Sequence, residues 1–179
     1  MEAVAIKEQP EPYVRIAGPA DYQECWRLLL QAFNENAIMS LAPDKVSWFL
    51  ARCLDPQSIP LGDTETRGVI GVIGEPGALV GLAFLTIGEL WYSHDKNIEE
   101  FLVFVDPEHR RSNNIDLLHQ WMKDQVEVTG IPLISGIISN NRTEAKCRLY
   151  RRRFQKMGEF FIHFPKNWKT KNPNLTVVG

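Results

Sequence analysis

The sequence has few cysteines and no arrangement of residues typical of a metal site. Its three cysteines, Cys25, Cys53 and Cys147, are scattered among apolar neighbours. This indicates small core residues in a reducing compartment rather than a disulfide framework. The four histidines also lack the spacing of zinc or iron ligands. We therefore expect no metal site.

Three further absences narrow the class of protein. No GxGxxG accompanies a predicted strand, which argues against a dinucleotide-binding fold. The longest apolar stretch, residues 78–87, is too short and too interrupted by glycine to cross a bilayer. The first twelve residues lack the basic start and apolar run of a signal peptide. We expect a cytoplasmic protein with no membrane partner.

The composition is that of one ordinary globular domain, with 179 residues of which 44% are apolar. The net charge of -2 conceals an asymmetry, because ten of the 20 Lys and Arg residues follow position 141. Such a basic end attracts a phosphate-bearing ligand or nucleic acid, although a solvated helix face explains it equally well. The cluster comprises Arg148, Arg151, Arg152, Arg153 and Lys156, with Lys166, Trp168, Lys169 and Lys171 beyond it.

Hydrophobic periodicity and turn residues predict a single mixed α/β domain over residues 13–164. Residues 1–12 form a predicted mobile tail, and 165–179 a basic polar tail in which 175–178 is either an edge strand or disordered. The predicted order of elements is a strand at 13–17, helices at 21–33 and 43–55, strands at 67–74, 79–87 and 101–105, a helix at 115–129, a strand at 133–139, a helix at 143–156 and a strand at 159–164.

A strand, a polar turn and a helix occupy the middle of the chain. The apolar run Phe101–Val105 predicts a buried strand, residues 109–113 a basic turn, and Ile115 lies early in the helix that follows. The first N–H groups of a helix have no partner within it, and its dipole favours anions. The turn is therefore a candidate phosphate site to which Arg110 and Arg111 would add charge-assisted bonds. The alternative is an ordinary turn with two solvated arginines.

Two stretches, together with the order of elements, resemble the GNAT superfamily of acyl-CoA-dependent N-acyltransferases. The first is FLVFVDPEHRRSNNIDLL, which matches an apolar strand, a Val-x-Pro step and a basic turn opening a helix at Val105, Pro107 and Arg110. The second is NRTEAKCRLYRRRFQKMGEF, which matches the late motif of the superfamily at Asn141, Ala145, Leu149, Tyr150, Gly158 and Phe160. The turn departs from the family pattern, because Asn113 and Ile115 replace its glycines. Asparagine tolerates the left-handed backbone that such a glycine adopts.

The resemblance implies a three-layer fold. Its central sheet would have six or seven mostly antiparallel strands, splayed between the fourth and fifth, with about four helices on both faces. It also implies acetyl-CoA, or another acyl-CoA, as cosubstrate. The pantetheine would pair with the backbone of Val103, Phe104 and Val105 and accept a hydrogen bond from Asn141. The diphosphate would lie near Arg110 and on the amides of Arg111, Ser112, Asn113, Asn114 and Ile115.

The resemblance also suggests catalytic residues for aminolysis, which needs a base and an acid. Glu99 is the candidate base, because strict alternation places it on the same strand face as Phe101, Val103 and Val105, with Glu100 opposite. Its alternative is a solvated carboxylate. Tyr150 is the candidate acid for the departing thiolate, and its alternative is a core tyrosine.

An amine acceptor, either a small molecule or a protein, would enter between the first two helices and the loop before the central strand. Its predicted lining comprises Ile38, Met39, Trp91 and Tyr92. The primary hypothesis is direct acyl transfer, with acetyl preferred, in a ternary complex of a monomer or homodimer. Two alternatives stay open. One is a nucleic-acid modifying or binding protein on the same scaffold, and the other is an inactive relative that has lost the glycine turn.

Overall fold

The protein is represented by a computed structural model that describes residues 12–55, 68–139, 142–162 and 165. Nearly all of both predicted tails, the predicted strand at 175–178 and Asn141 lie outside these residues.

The described residues form one five-stranded sheet and four α-helices. The strands are β1 (Val14–Ile16), β2 (Gly68–Ile73), β3 (Gly81–Glu89), β4 (Lys96–Val105) and β5 (Leu133–Ile134), adjacent in that order. The helices are α1 (Tyr22–Asn36), α2 (Pro43–Leu54), α3 (Asn114–Thr129) and α4 (Thr143–Arg151). Strands β1 to β4 pair antiparallel, and β5 pairs parallel with β4. The predicted mixed and mostly antiparallel sheet is therefore confirmed.

Helices cover both faces of the sheet, as predicted. Leu28 of α1 and Leu50 of α2 pack with Leu82 of β3 in one buried cluster. Leu118 of α3 packs with Ala83 of β3 in the cluster on the other face. Because successive strand residues point to opposite faces, β3 supplies apolar side chains to both layers. None of the described helices is long and apolar enough to span a bilayer.

An ion pair fixes α1 against the end of β4. Arg27 of α1 donates from Nη1 to Asp106 Oδ2 at 2.8 Å and from Nη2 to the Leu79 carbonyl at 2.7 Å. Asp106, which directly follows β4, also accepts a hydrogen bond from the Glu108 amide at 3.2 Å. These contacts fix the end of β4 on which the functional site is built.

The C-terminal part of the sheet is smaller than predicted. Of the predicted strand 133–139, only Leu133 and Ile134 pair with β4, and described residues 159–162 form no strand. Phe160 packs its ring directly over Gly136, where a Cβ would lie 2.2 Å from the ring. The segment thus contacts the residues after β5 through the Phe160 side chain and not through strand pairing. The predicted helix 143–156 is also shorter, because α4 gives way to a turn after Arg151.

Candidate functional site

The fourth and fifth strands separate after two residue pairs and leave an open cleft. The pairs are Ile98 with Leu133 and Glu99 with Ile134. Beyond them lies a cavity of about 310 Å³, with Glu100–Val105 as one wall and residues 137–139 as the other. Helix α4 closes the cavity with Ala145 and Tyr150 among its lining. The predicted splay between the fourth and fifth strands is confirmed.

A β-bulge in β4 decides which glutamate enters the cleft. Phe84 pairs with Leu102 and Leu85 with Glu100, so Phe101 is an extra residue without a partner in β3. A bulge of this kind shifts the alternation of faces by one residue. Glu100 therefore lies on the α3 side of the sheet, with Val103, and lines the cleft.

The expectation that Glu99 shares a face with Val103 and Val105 is wrong for the same reason. Glu99 pairs with Thr86 on the opposite face, beside Gly88, and accepts a hydrogen bond from Asn97 Nδ2 at 3.3 Å. It does not line the cleft.

Glu100 and Tyr150 form a hydrogen-bonded pair inside the cleft. Tyr150 donates its hydroxyl to Glu100 Oε1 at 2.5 Å, and Ser135 donates its hydroxyl to Oε2. Burial raises the pKa of Glu100 above its ordinary value, although both hydrogen bonds oppose that shift. Burial and the neighbouring Glu100 charge raise the pKa of Tyr150 well above its ordinary value. The phenol is therefore protonated at neutral pH.

Aromatic packing holds the Tyr150 ring in place. His119 of α3 meets it edge to face, with ring centroids 4.8 Å apart, and Phe154 lies 5.5 Å away. Burial lowers the pKa of His119 to about 4, so this imidazole is neutral at pH 7. Neither ring nitrogen of His119 has a hydrogen-bond partner among the described residues. His119 therefore supports Tyr150 through ring contact alone.

Cationic side chains gather at one end of the cleft. Arg110 donates from Nε to the Val105 carbonyl at 2.9 Å and forms an ion pair with Glu35. Lys146 donates to Ser139 Oγ at 2.8 Å, and Arg142 also lines this end. Burial lowers the pKa of Lys146, with the charge of Arg110 adding to the effect. Among the described residues that line the cleft, three cations thus face the carboxylate of Glu35 at this end, which suits an anionic ligand.

The predicted phosphate turn lies between β4 and α3. Arg111, Ser112 and Asn113 are exposed, Asn114 is buried, and Ile115 lines the cleft. Asn113 has φ -83°, so it does not adopt the left-handed conformation suggested for a glycine substitute. Ser112 Oγ accepts the Asn114 amide at 3.3 Å and thereby occupies one of the first amides of α3.

A second cavity of about 280 Å³ adjoins the cleft on the side of α1 and α2. The four predicted acceptor-lining residues line neither this cavity nor the cleft. Ile38 is half-buried and Met39 exposed after α1, while Trp91 is 95% exposed and packs against Tyr92 in the loop before β4. Helix and strand residues supply most of this lining, and Ala37, Leu41 and Ile138 contribute to it from loops.

Ion pairs occupy much of the basic cluster near α4. Arg151 pairs with Glu144 at 3.2 Å, Arg153 pairs with Asp116, and Lys156 pairs with Glu159. These contacts leave less positive charge for a nucleic acid than the sequence suggested. Within the described parts of the chain, no group of His, Cys, Asp or Glu side chains is arranged to hold a metal ion.

Sequence reasoning missed Glu100, Ser135, Glu35 and Lys146 as functional candidates. Two adjacent glutamates at the start of an apolar strand were a usable signal that one of them is buried. The choice between them depended on the bulge, which the sequence did not indicate. Glu35 and Lys146 are far apart along the chain and are brought together only by the packing of α1 and α4 around the cleft.

The chain resembles known proteins in its three-dimensional structure. No protein-family description matches the chain, and neither does any curated protein sequence. A possible acetyltransferase from Clostridium difficile 630 superposes with a TM-score of 0.63 at 15% identity, covering 86% of this chain and 97% of that one.

Two further solved structures contain ligands. The aminoglycoside acetyltransferase meta-AAC0020 from an uncultured soil metagenomic sample, in complex with sisomicin, has a TM-score of 0.59 at 15% identity, covering 88% of this chain and 97% of that one. AAC(6')-Iy in complex with the bisubstrate analogue CoA-S-monomethyl-acetylneamine has a TM-score of 0.61 at 14% identity, covering 88% and 99%. The fold is thus that of GNAT-type acetyltransferases.

Proposed function

We propose that the protein is an acyl-CoA-dependent N-acyltransferase that moves an acetyl group to a primary amine within a ternary complex. The observation that carries this proposal is the open cleft between β4 and β5, which contains the Glu100–Tyr150 pair. The similarity in fold to solved acetyltransferases supports it. An open cleft also argues against an inactive relative, in which we would expect the two strands to pair along their length.

The residues around the cleft fit the chemistry of coenzyme A. Past Glu99, β4 has no neighbouring strand on the cleft side within the described residues, so its backbone can pair with the amides of a pantetheine arm. Val103, Phe104 and Val105 would provide this pairing. A thioester bound there supplies the activated acetyl group.

The anionic end of the coenzyme requires cations and free amides. Arg142 and Lys146 lie where they would pair with its phosphates, and the exposed amides of Arg111, Ser112 and Asn113 would add hydrogen bonds at the start of α3. Arg110 is already paired with Glu35 and would fix the Val105 end of β4 rather than bind phosphate. Side-chain cations would thus compensate for the glycines that this turn lacks.

Glu100 and Tyr150 would together manage the protons of the reaction. The bound ammonium first gives one proton to solvent; as the neutral amine then forms its C–N bond and the C–S bond breaks, Glu100 accepts a second proton from the nitrogen and Tyr150 donates its phenolic proton to the departing sulfur. The proton on Glu100 then passes along their hydrogen bond to the phenolate oxygen. Both residues regain their starting protonation states, and no other proton donor is required.

Thiol release from acetyl-CoA in the presence of primary amines tests this proposal. We predict that Tyr150→Phe lowers kcat by about 100-fold, because a positioned acid contributes on that order, while the Kd for acetyl-CoA is little changed. Tyr22→Phe is the matched control, since it removes a hydroxyl that bonds Ser47 Oγ outside the cleft. Equal kcat values for Tyr150→Phe and the parent would remove Tyr150 from the mechanism. Absence of thiol release with every amine would refute transferase activity.

A further inference from the structure

We infer that the amine acceptor is a primary amine on a single apolar, ring-sized body, and not a polycationic sugar of the kind bound by the structural relatives. The inference rests on the proposed function and specifies its substrate class. It comes from the second cavity, an open pocket that is lined mainly by α1, α2 and the sheet and adjoins the cleft.

The two cavities meet at the bulge in β4. Asn36, Phe101, Leu102 and Ile138 line both of them, so a molecule in the second cavity borders directly on the cleft. The base Glu100 directly precedes Phe101 in β4. An amine group at this junction would enter the cleft that holds the base, while the body of the molecule stayed in the second cavity.

The second cavity is lined by apolar and aromatic side chains. Asn36 is the one polar residue among its described lining, which includes Leu29, Phe33, Val46 and Phe49. A volume of about 280 Å³ accommodates a molecule with one or two rings and little more.

Aromatic rings form the wall next to the cleft. Phe101 lies 5.6 Å from Phe49 and 5.4 Å from Phe84 between ring centroids, with the Phe49 ring edge-on. Phe101 is nevertheless 47% exposed, because the bulge presents its ring to the cavity. A ring of the acceptor would cover it and gain the favourable geometry of an aromatic pair.

The junction has a cationic side, where Lys146 donates a hydrogen bond to Asn36, and an anionic side at Glu100 that suits one ammonium group. No ionisable side chain is among the described residues lining the second cavity. In the adjoining cleft, the described carboxylates are Glu35, which is paired with Arg110, and Glu100. The additional ammonium groups of a polycation would lie against an apolar lining without counterions, which is unfavourable. A monoamine would need only Glu100.

A long acyl chain is the competing occupant of an apolar cavity. The cleft has a cationic end at Arg110, Arg142 and Lys146, which suits the coenzyme phosphates. The second cavity opens onto the same cleft from its apolar side. With the coenzyme placed at the cationic end, this cavity is the space left for the amine. We therefore assign the cavity to the amine.

The test compares 2-phenylethylamine with sisomicin as acceptors for acetyl-CoA, using Val46→Phe to fill the cavity. The exposed Ala51→Phe on the same helix is the matched control. We expect a higher kcat/KM with 2-phenylethylamine than with sisomicin. Val46→Phe should lower kcat/KM for 2-phenylethylamine by about tenfold, because the added ring occupies the space that the substrate needs. Ala51→Phe should behave as the parent.

Calorimetric titration of 2-phenylethylamine, with and without coenzyme A, separates this inference from the proposed function. Binding that is lost in Val46→Phe and kept in Ala51→Phe supports the assignment even if no thiol is released, an outcome that would refute only the transferase proposal. A preference for sisomicin, or equal amine binding by the two variants, would overturn the inference. The inference would also be overturned if Val46→Phe abolished activity with octanoyl-CoA but retained activity with 2-phenylethylamine as acceptor. The cavity would then hold the acyl chain.

Discussion

At the scale of single residues, the site depends on a half-buried carboxylate that is hydrogen-bonded to a phenol. Glu100 is partly withdrawn from water at the edge of the splayed strands, and Tyr150 and Ser135 each donate a hydrogen bond to one of its oxygens. Ionised carboxylates are rarely buried unless they are hydrogen-bonded or paired. Its burial beside an open cavity is therefore best explained by a role in proton transfer.

Adjacent glutamates provide a matched pair of variants for this role. We predict that Glu100→Gln lowers kcat by about 100-fold, because the amide cannot accept the ammonium proton. Glu99→Gln should leave kcat essentially unchanged, since Glu99 lies on the other face of β4. Steady-state thiol release by the two purified variants measures the difference. A larger loss in Glu99→Gln would contradict the assignment of the base.

The raised pKa of Glu100 has opposite effects on activity and stability. Activity requires the carboxylate, so kcat/KM should fall with decreasing pH at a midpoint above the ordinary value of 4.5. Between that value and the raised pKa, the folded protein binds more protons than the unfolded chain, so stability falls as pH rises. Glu100→Gln should remove this component of the pH dependence, as urea unfolding across that range would measure. If the kcat/KM of the parent fell with a midpoint at or below pH 4.5, burial would not raise the pKa of Glu100, contrary to this account.

The candidate site was predictable from sequence only in part. The late motif pointed to Tyr150 and its helix, and Tyr150 lines the cleft. Which of the two glutamates lines the cleft was not predictable, because one extra residue in β4 exchanges the faces of Glu99 and Glu100. Bulges arise from cross-strand packing, and period-2 reasoning along one strand cannot detect them.

At the scale of elements, α3 packs closely on the sheet through a glycine. The Trp121 ring lies over Gly71 of β2, and a Cβ built there would be 2.7 Å from the ring. Gly71→Ala should therefore displace Trp121 and destabilise the fold by about 1–3 kcal/mol, which denaturant unfolding would measure. Gly18→Ala is the control, because a Cβ there meets nothing within 4 Å. An equal unfolding midpoint for the two variants would contradict this packing.

Element boundaries were predictable where local signals are strong. Helix α2 begins at the predicted Pro43, and α3 ends before Gly130, whose φ is 68°. The described residues 159–162 of the strand predicted at 159–164 have no strand partner. Strand pairing is a non-local property, and β5 diverges from β4 before it can extend the sheet.

At the scale of the whole molecule, the fold was more predictable than the substrate. The order of elements and two motifs identified the mixed sheet and the splay between its fourth and fifth strands. The acceptor cavity depends on how α1, α2 and the bulge of β4 pack together. Its apolar lining is distributed over distant parts of the chain, so no local pattern revealed it.

The most direct test of the central claim is calorimetric titration of acetyl-CoA into the parent and two phenylalanine variants. Ala145→Phe narrows the cleft from α4, whereas Val128→Phe adds the same side chain on α3 at a residue that is 82% exposed. We predict equal Kd values for the parent and Val128→Phe and binding weakened by about tenfold or more in Ala145→Phe. No detectable binding to the parent at about 1 mM acetyl-CoA, or unchanged binding in Ala145→Phe, would contradict the claim that this cleft holds the coenzyme.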